Sequence, residues 1–115
     1  SILVTASVAG IRTQPPDPIY SLSKSAVISF VRSIAPALED RGVRINALCP
    51  GSVDTPIQPE DRRREGRPMS PPEDIAEAMA KILASDDTGG IWIASSSDYP
   101  VWRYEFASAI DGPPD

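Results

Sequence analysis

The 115 residues predict an α/β domain built on a short, mainly parallel sheet. Three observations carry this. Short apolar runs at "SILV" (1–4), "VRINALCPG" (43–51) and "IWIA" (91–94) read as strands. Two longer stretches with apolar residues at helical spacing lie between them. Proline- and glycine-rich segments separate every element from the next.

"SILV" ends on small residues, as a buried parallel strand does when its C-terminal end carries function. "GIRTQPPDPI" (10–19) holds three prolines and a glycine and must be loop. From about Ser21 to Asp40 a helix is predicted, with Ala26, Val27, Phe30, Val31, Ile34 and Leu38 on its buried face. Pro36 should kink or weaken it late, and Arg41-Gly42 supplies a stop. In the next strand Val43, Ile45 and Ala47 alternate with Arg44, Asn46 and Leu48. Residues 54–70 are polar and proline-rich, a loop or lid. Ser70 then predicts an N-cap, with Glu73 three positions on and prolines at the first helical positions. That helix carries Ile75, Ala76, Met79, Ile82 and Leu83 on one face and runs out at "DDTGG" (86–90). The tail, 95–115, holds aromatic residues without a clear period.

Composition bounds the function. The length fits one domain, 1–115, and the hydrophobic share of 41% and charged share of 23% are ordinary for a globular chain. A net charge of −5 argues against nucleic-acid binding. No apolar run approaches membrane-spanning length. The sequence has no histidine, and Cys49 is its one cysteine, so no metal site and no internal disulfide are expected. A reduced, cytoplasmic setting follows as the expectation. The chain opens on "SILVTAS" without a methionine and reads as the interior of a longer protein.

Three pieces then line up. Ser7 in "TASVAG" precedes Tyr20 by thirteen residues, Tyr20 precedes Lys24 by four, and "NALCPGSVDT" (46–55) closes the second strand. Together they resemble the catalytic half of the short-chain dehydrogenase/reductase family, marked by Ser, Tyr-x-x-x-Lys and Asn-Ala-x-x-Pro-Gly-x-Val-x-Thr. "SPPEDIAEAMAKILASDDTGG" also resembles the family's last helix, so the likeness extends to about Ile93. It implies a three-layer, Rossmann-like partial domain holding strands five to seven of the family's sheet. Scaffold segments such as "RINALCPGSVDTPI" look most like 15-hydroxyprostaglandin dehydrogenase-like members.

The resemblance implies NAD(P)-dependent hydride transfer between a nicotinamide, with NAD favoured over NADP, and a small secondary alcohol or ketone. Such chemistry needs a group that takes or returns the hydroxyl proton. A free tyrosine, with a pKa of about 10, is a poor base at neutral pH. A lysine cation one helical turn away favours the phenolate. By resemblance Tyr20 is the general acid/base, Lys24 assists it and holds the ribose hydroxyls, and Ser7 steadies the substrate oxygen. Pro50-Gly51 would turn the chain and let backbone approach a ligand. Val53 through its backbone and Thr55 through its hydroxyl would hold the carboxamide. Asn46 is expected to support structure, and Cys49 to be a small buried hydrophobe.

The family's Gly-rich phosphate cradle does not occur in these 115 residues, so the N-terminal dinucleotide-binding half is expected to be absent and the chain alone inactive. A catalytically inactive module serving association is the rival expectation. Without neighbouring elements Phe30, Val31 and Ile34 should expose apolar surface and "SILV" should form an open edge, which predicts a homo-oligomer. In the lid, Arg62, Arg63, Arg64 and Arg67 could meet an anionic substrate, but Glu60, Asp61 and Glu65 are interleaved with them. Trp92, Tyr99, Trp102, Tyr104 and Phe106 are expected mainly in packing.

Overall fold

The computed structural model describes residues 1–113. Strand β1 (Ile2–Thr5) leads into a 3-10 turn (Val8–Gly10) and helix α1 (Pro18–Glu39). Strand β2 (Ile45–Pro50), a short helix α2 (Glu60–Arg64) and helix α3 (Pro72–Ala84) follow, then strands β3 (Ile91–Ala94) and β4 (Trp102–Arg103). The sheet runs β1-β2-β3-β4. The first three strands are parallel, with Ile2 opposite Ile45 and Ala47 opposite Ile91. β4 returns antiparallel to β3, pairing Trp102 with Ile93. The aperiodic tail concealed this two-residue strand.

All six residues of β2 are buried. The predicted alternation therefore separates two core layers, not core from solvent. Ile45, Ala47 and Cys49 pack with Ile28, Val31 and Ala35 of α1. Leu48 packs with Ile75, Ala78 and Ile82 of α3. Helices on both faces of a mostly parallel sheet make the three-layer, Rossmann-like α/β arrangement the sequence predicts.

α1 starts earlier than Ser21. The Asp17 carboxylate accepts the Tyr20 N–H at 3.0 Å, and Pro18 occupies the first turn, where its missing N–H costs nothing. Tyr20 thus sits in the first turn and Lys24 one turn on. The buried row is Ile28, Val31 and Ala35, with Val27, Ile34 and Leu38 packed alongside. Ala26 and Phe30 are exposed, contrary to the prediction for that face. At 3.6 residues per turn they lie about 140° and about 100° round the helix from Val31, outside its stripe. Of the three residues expected to expose apolar surface, Phe30 is exposed, Ile34 is half-buried and Val31 is fully buried. The helix continues through Pro36, and the carbonyl left free by the missing N–H belongs to exposed Arg32. It ends in a Schellman turn: Val43 N–H reaches Leu38 O and Gly42 N–H reaches Glu39 O, both at 2.9 Å, with Gly42 at φ 72°.

Ser70 does not cap α3. Its N–H donates to Ser52 O at 2.8 Å and its carbonyl accepts from Asp54 N–H at 2.9 Å, which commits it to a bridge beside Val53. Pro71 is the N-cap residue, extended at ψ 147° because a residue before proline avoids the helical region. Of the predicted apolar face, Ala76 and Leu83 are exposed, and Ala78 takes the buried place between Ile75 and Ile82. β1, bonded only to β2, is an edge of the sheet as expected.

Candidate active site

β1 ends at Thr5, and the chain stays beside β2 for one more residue, Ala6 N–H bonding Leu48 O at 2.7 Å. Ser7 then caps the 3-10 turn. Its Oγ accepts the Ala9 N–H at 3.1 Å, and the residue is buried. That contact uses a lone pair and leaves the hydroxyl proton to be donated.

The turn is stapled to α1. Ser21 Oγ donates to Ala9 O at 2.6 Å, and one helical turn later Ser25 Oγ donates to Gly10 O at 2.8 Å. Gly10 packs so tightly that a Cβ there would lie 2.7 Å from Ile28 Cδ1 and 2.9 Å from the Lys24 carbonyl oxygen. Lys24 stands within this seam, half-buried. Its Nζ reaches the Thr5 carbonyl at 3.5 Å, the long limit of a hydrogen bond, and lies 5.7 Å from the Tyr20 ring centroid. The Tyr20 ring is 40% exposed. Ser7, Tyr20 and Lys24 therefore gather at the C-terminal end of β1, two on the helix and one on the turn fastened to it.

Cys49 lies fully buried on the neighbouring strand. Burial pushes its thiol up to about 11, outweighing the Ser7 backbone N–H and the Lys24 charge, which both lower it. It is an inert packing group, as expected.

The second motif divides. Pro50 is the buried end of β2, and Gly51 N–H bonds Ala94 O at 3.1 Å. A Cβ on Gly51 would sit 2.9 Å from Ser95 O, so its close approach to the end of β3 already requires glycine here. At Val53 the bridge to Ser70 uses Ser52 O and Asp54 N–H, and the Val53 N–H enters no hydrogen bond among the described residues. The Thr55 carbonyl accepts from Gln58 N–H at 3.1 Å and from Arg63, while its hydroxyl makes no bond among the described residues. Asn46 lies at the other end of β2. It donates to Asp87 O at 2.8 Å and accepts from Gly90 N–H at 3.0 Å and Trp92 Nε1 at 3.3 Å, a purely structural knot.

Three of the four lid arginines are spent on carboxylates: Arg63 on Asp54 at 2.6 Å, Arg64 on Glu60 at 2.7 Å and Arg67 on Glu65 at 2.6 Å. These exposed pairs are each worth about 0–1 kcal/mol and give a solvated charged face. Arg63 also ties α2 to the 54–55 loop. Beside the Ser7 turn opens a cleft of ≈ 450 Å³, lined by Val8, Ile11, Arg12, Ser52, Trp102 and Tyr104 among others. Ser7, Tyr20 and Lys24 are not in its lining, which begins at Val8 of the turn Ser7 caps. Sequence reasoning missed the staple; its signal was the pair Ser21 and Ser25, four apart and flanking Lys24, together with a lone glycine after the strand.

A family model described as short chain dehydrogenase matches residues 1–66. An oxidoreductase of Sarocladium schorii is 37% identical over 98 residues, covering 76% of this chain and 39% of the relative. Dehydrogenase/reductase SDR family member 6 of Aquarana catesbeiana is 38% identical over 103 residues, covering 82% of this chain and 39% of its own length. The chain thus spans about a quarter to two fifths of the length of the curated relatives it matches. A crystal structure of 3-hydroxyacyl-CoA dehydrogenase type-2 from Mycobacterium avium superposes with a TM-score of 0.72 at 26% identity, over 83% of this chain and 41% of that one. A 4-hydroxyisoleucine dehydrogenase complexed with NADH and succinate gives 0.70 at 22% identity, over 82% of this chain and 43% of that one, a likeness of fold. With more than half of its residues inside the family model and this sheet beneath them, the chain belongs to the short-chain dehydrogenase family.

Proposed function

We propose that these residues form the catalytic half of an NAD(P)-dependent oxidoreductase acting on a secondary alcohol or ketone. The observation that carries this is the seam at the end of β1, where Lys24 Nζ lies 5.7 Å from the Tyr20 ring and the Ser7 turn is hydrogen-bonded to the same helix. Tyr20 exchanges the proton of the reacting hydroxyl. Lys24 supplies a fixed positive charge beside it and a donor for the ribose hydroxyls. Ser7 donates its hydroxyl proton to the substrate oxygen.

The nicotinamide end of the cofactor fits what is present. The Val53 N–H and the Thr55 hydroxyl make no hydrogen bond among the described residues, and the carboxamide offers an acceptor and a donor to match them. When bound, the nicotinamide gives or takes the hydride. Pro50 and Gly51 act indirectly, by setting the path of the loop. NAD is preferred over NADP in this reading, and a cytoplasmic setting accords with a single buried thiol.

Titration with NADH and NADPH, followed by nicotinamide fluorescence, tests the proposal. Saturable binding that Lys24→Met weakens would support the enzyme reading for this chain by itself; no binding at millimolar cofactor would leave these residues a catalytic half without function of its own. A second reading, association without catalysis, draws on the exposed residues Ile19, Leu22 and Phe30 along α1.

A further inference from the structure

We propose that the cleft beside the Ser7 turn binds a carboxylate-bearing substrate with an apolar or aromatic body, and that Arg12 is its carboxylate partner. The proposal rests on the reading of Ser7, Tyr20 and Lys24 as the reacting end and names the substrate class that end would serve. The walls suit such a body. Val8, Ile11 and Ile93 are aliphatic, and the rings of Trp102 and Tyr104 stand 6.0 Å apart at one side. A volume of ≈ 450 Å³ falls within the range of small-molecule sites, roughly 300–1,000 Å³.

Arg12 brings the only formal charge among the lining residues. It makes no ion pair among the described residues, and of the arginines without one (Arg12, Arg32, Arg41, Arg44 and Arg62) it alone lines this cleft. A free guanidinium over an apolar cleft selects an anion, and its planar fork matches a carboxylate. In a chain of net charge −5 the general field repels anions, so one local cation decides whether they enter.

The backbone fixes where that cation stands. Arg12 N–H bonds Val8 O at 2.9 Å, extending the turn that Ser7 caps. Arg12 follows Ser7 by five residues, of which Val8–Gly10 form the 3-10 turn. The carboxylate and the reacting carbon are therefore distinct ends of the proposed substrate.

The test is a binding measurement on the full chain without cofactor, using 5-oxo-5-phenylpentanoate and its methyl ester as probes and tryptophan fluorescence as readout. Trp102 lines the cleft, while the indole of Trp92 is held by Asn46, so Trp102→Phe should remove the signal. The acid should quench saturably. Arg12→Gln should weaken it about ten- to a hundredfold, and the ester should bind the parent chain no better than the acid binds the variant. Equal affinity for acid and ester, an unchanged acid affinity in Arg12→Gln, a quench that survives in Trp102→Phe, or no saturable quench at millimolar acid would each overturn the proposal. The ester arm needs no variant. Absence of nicotinamide binding with the acid quench intact would count against oxidoreductase activity of this chain by itself and leave this site standing.

Discussion

Gly10→Ala is predicted to damage the chain more than any change of one methyl group elsewhere in the turn. The new Cβ would meet Ile28 Cδ1 at 2.7 Å, the Lys24 carbonyl carbon at 2.8 Å and the Lys24 oxygen at 2.9 Å. Carbon atoms in contact prefer about 3.5–4.0 Å, so the deficit approaches 1 Å. Ile28 can change rotamer, but the other two atoms are helix backbone and cannot yield cheaply. The turn must lift from α1 instead, and lifting stretches the Ser21–Ala9 and Ser25–Gly10 bonds from 2.6 and 2.8 Å past useful length. Overpacking costs about 1–3 kcal/mol and each lost hydrogen bond about 0.5–1.5 kcal/mol. Partial relief of one by the other leaves a net loss of about 2–4 kcal/mol. For a chain of this size that is a fall in Tm of roughly 8–16 °C. Urea unfolding and calorimetry read it directly. A Gly10→Ala variant within about 0.5 kcal/mol of the parent would refute the close packing and, with it, the fixed placement of Ser7 against Lys24.

Other outcomes follow from the same structure. Leu48→Ala, at the fully buried centre of the α3-facing layer, should cost about 2–5 kcal/mol in urea unfolding. The Cys49 thiol is raised to about 11 in the folded chain, so the native state keeps a proton that the unfolded state releases above its ordinary pKa of about 8.5. Stability is therefore unaffected by this group below pH ~8 and falls between pH ~8.5 and ~11, by about 3 kcal/mol; the difference between parent and Cys49→Ala across that window isolates it. Phe30→Glu should lower the mass seen by light scattering if α1 mediates association, since Phe30 is 60% exposed and its loss removes little packing; a monomeric parent would exclude that role.

The strands and the Tyr20–Lys24 spacing were legible because each depends on neighbours in sequence. Apolar runs bounded by proline and glycine are local, and so is one helical turn. The misplaced features depend on partners far along the chain. Ser70 looks like a cap until Ser52 and Asp54 claim its backbone. That Gly51 must clear Ser95 at the end of β3 shows only once the strands are paired. Likewise β4 is two residues long, too short for any alternation to show, and is defined only by β3 beside it. Asp17, by contrast, carries a local signal that the predicted start at about Ser21 missed: an aspartate ahead of a proline marks a helix start.

Parallel order explains why the site and the scaffold occupy opposite ends of the sheet. All three parallel strands deliver their C-terminal ends to one edge, so Ser7 after β1, Gly51 to Thr55 after β2 and Ser95 after β3 arrive together although they are dispersed in sequence. At that edge the Val53 N–H and the Thr55 hydroxyl make no hydrogen bond among the described residues. At the other edge the chain commits such groups: Asn46 alone serves Asp87, Gly90 and Trp92, and Thr88 Oγ1 accepts the Ile45 N–H at 3.0 Å. A buried amide with three partners is costly to strip, which makes the Asn46 end the rigid one. The division places polar satisfaction where the sheet must hold and polar vacancy where a ligand could be held.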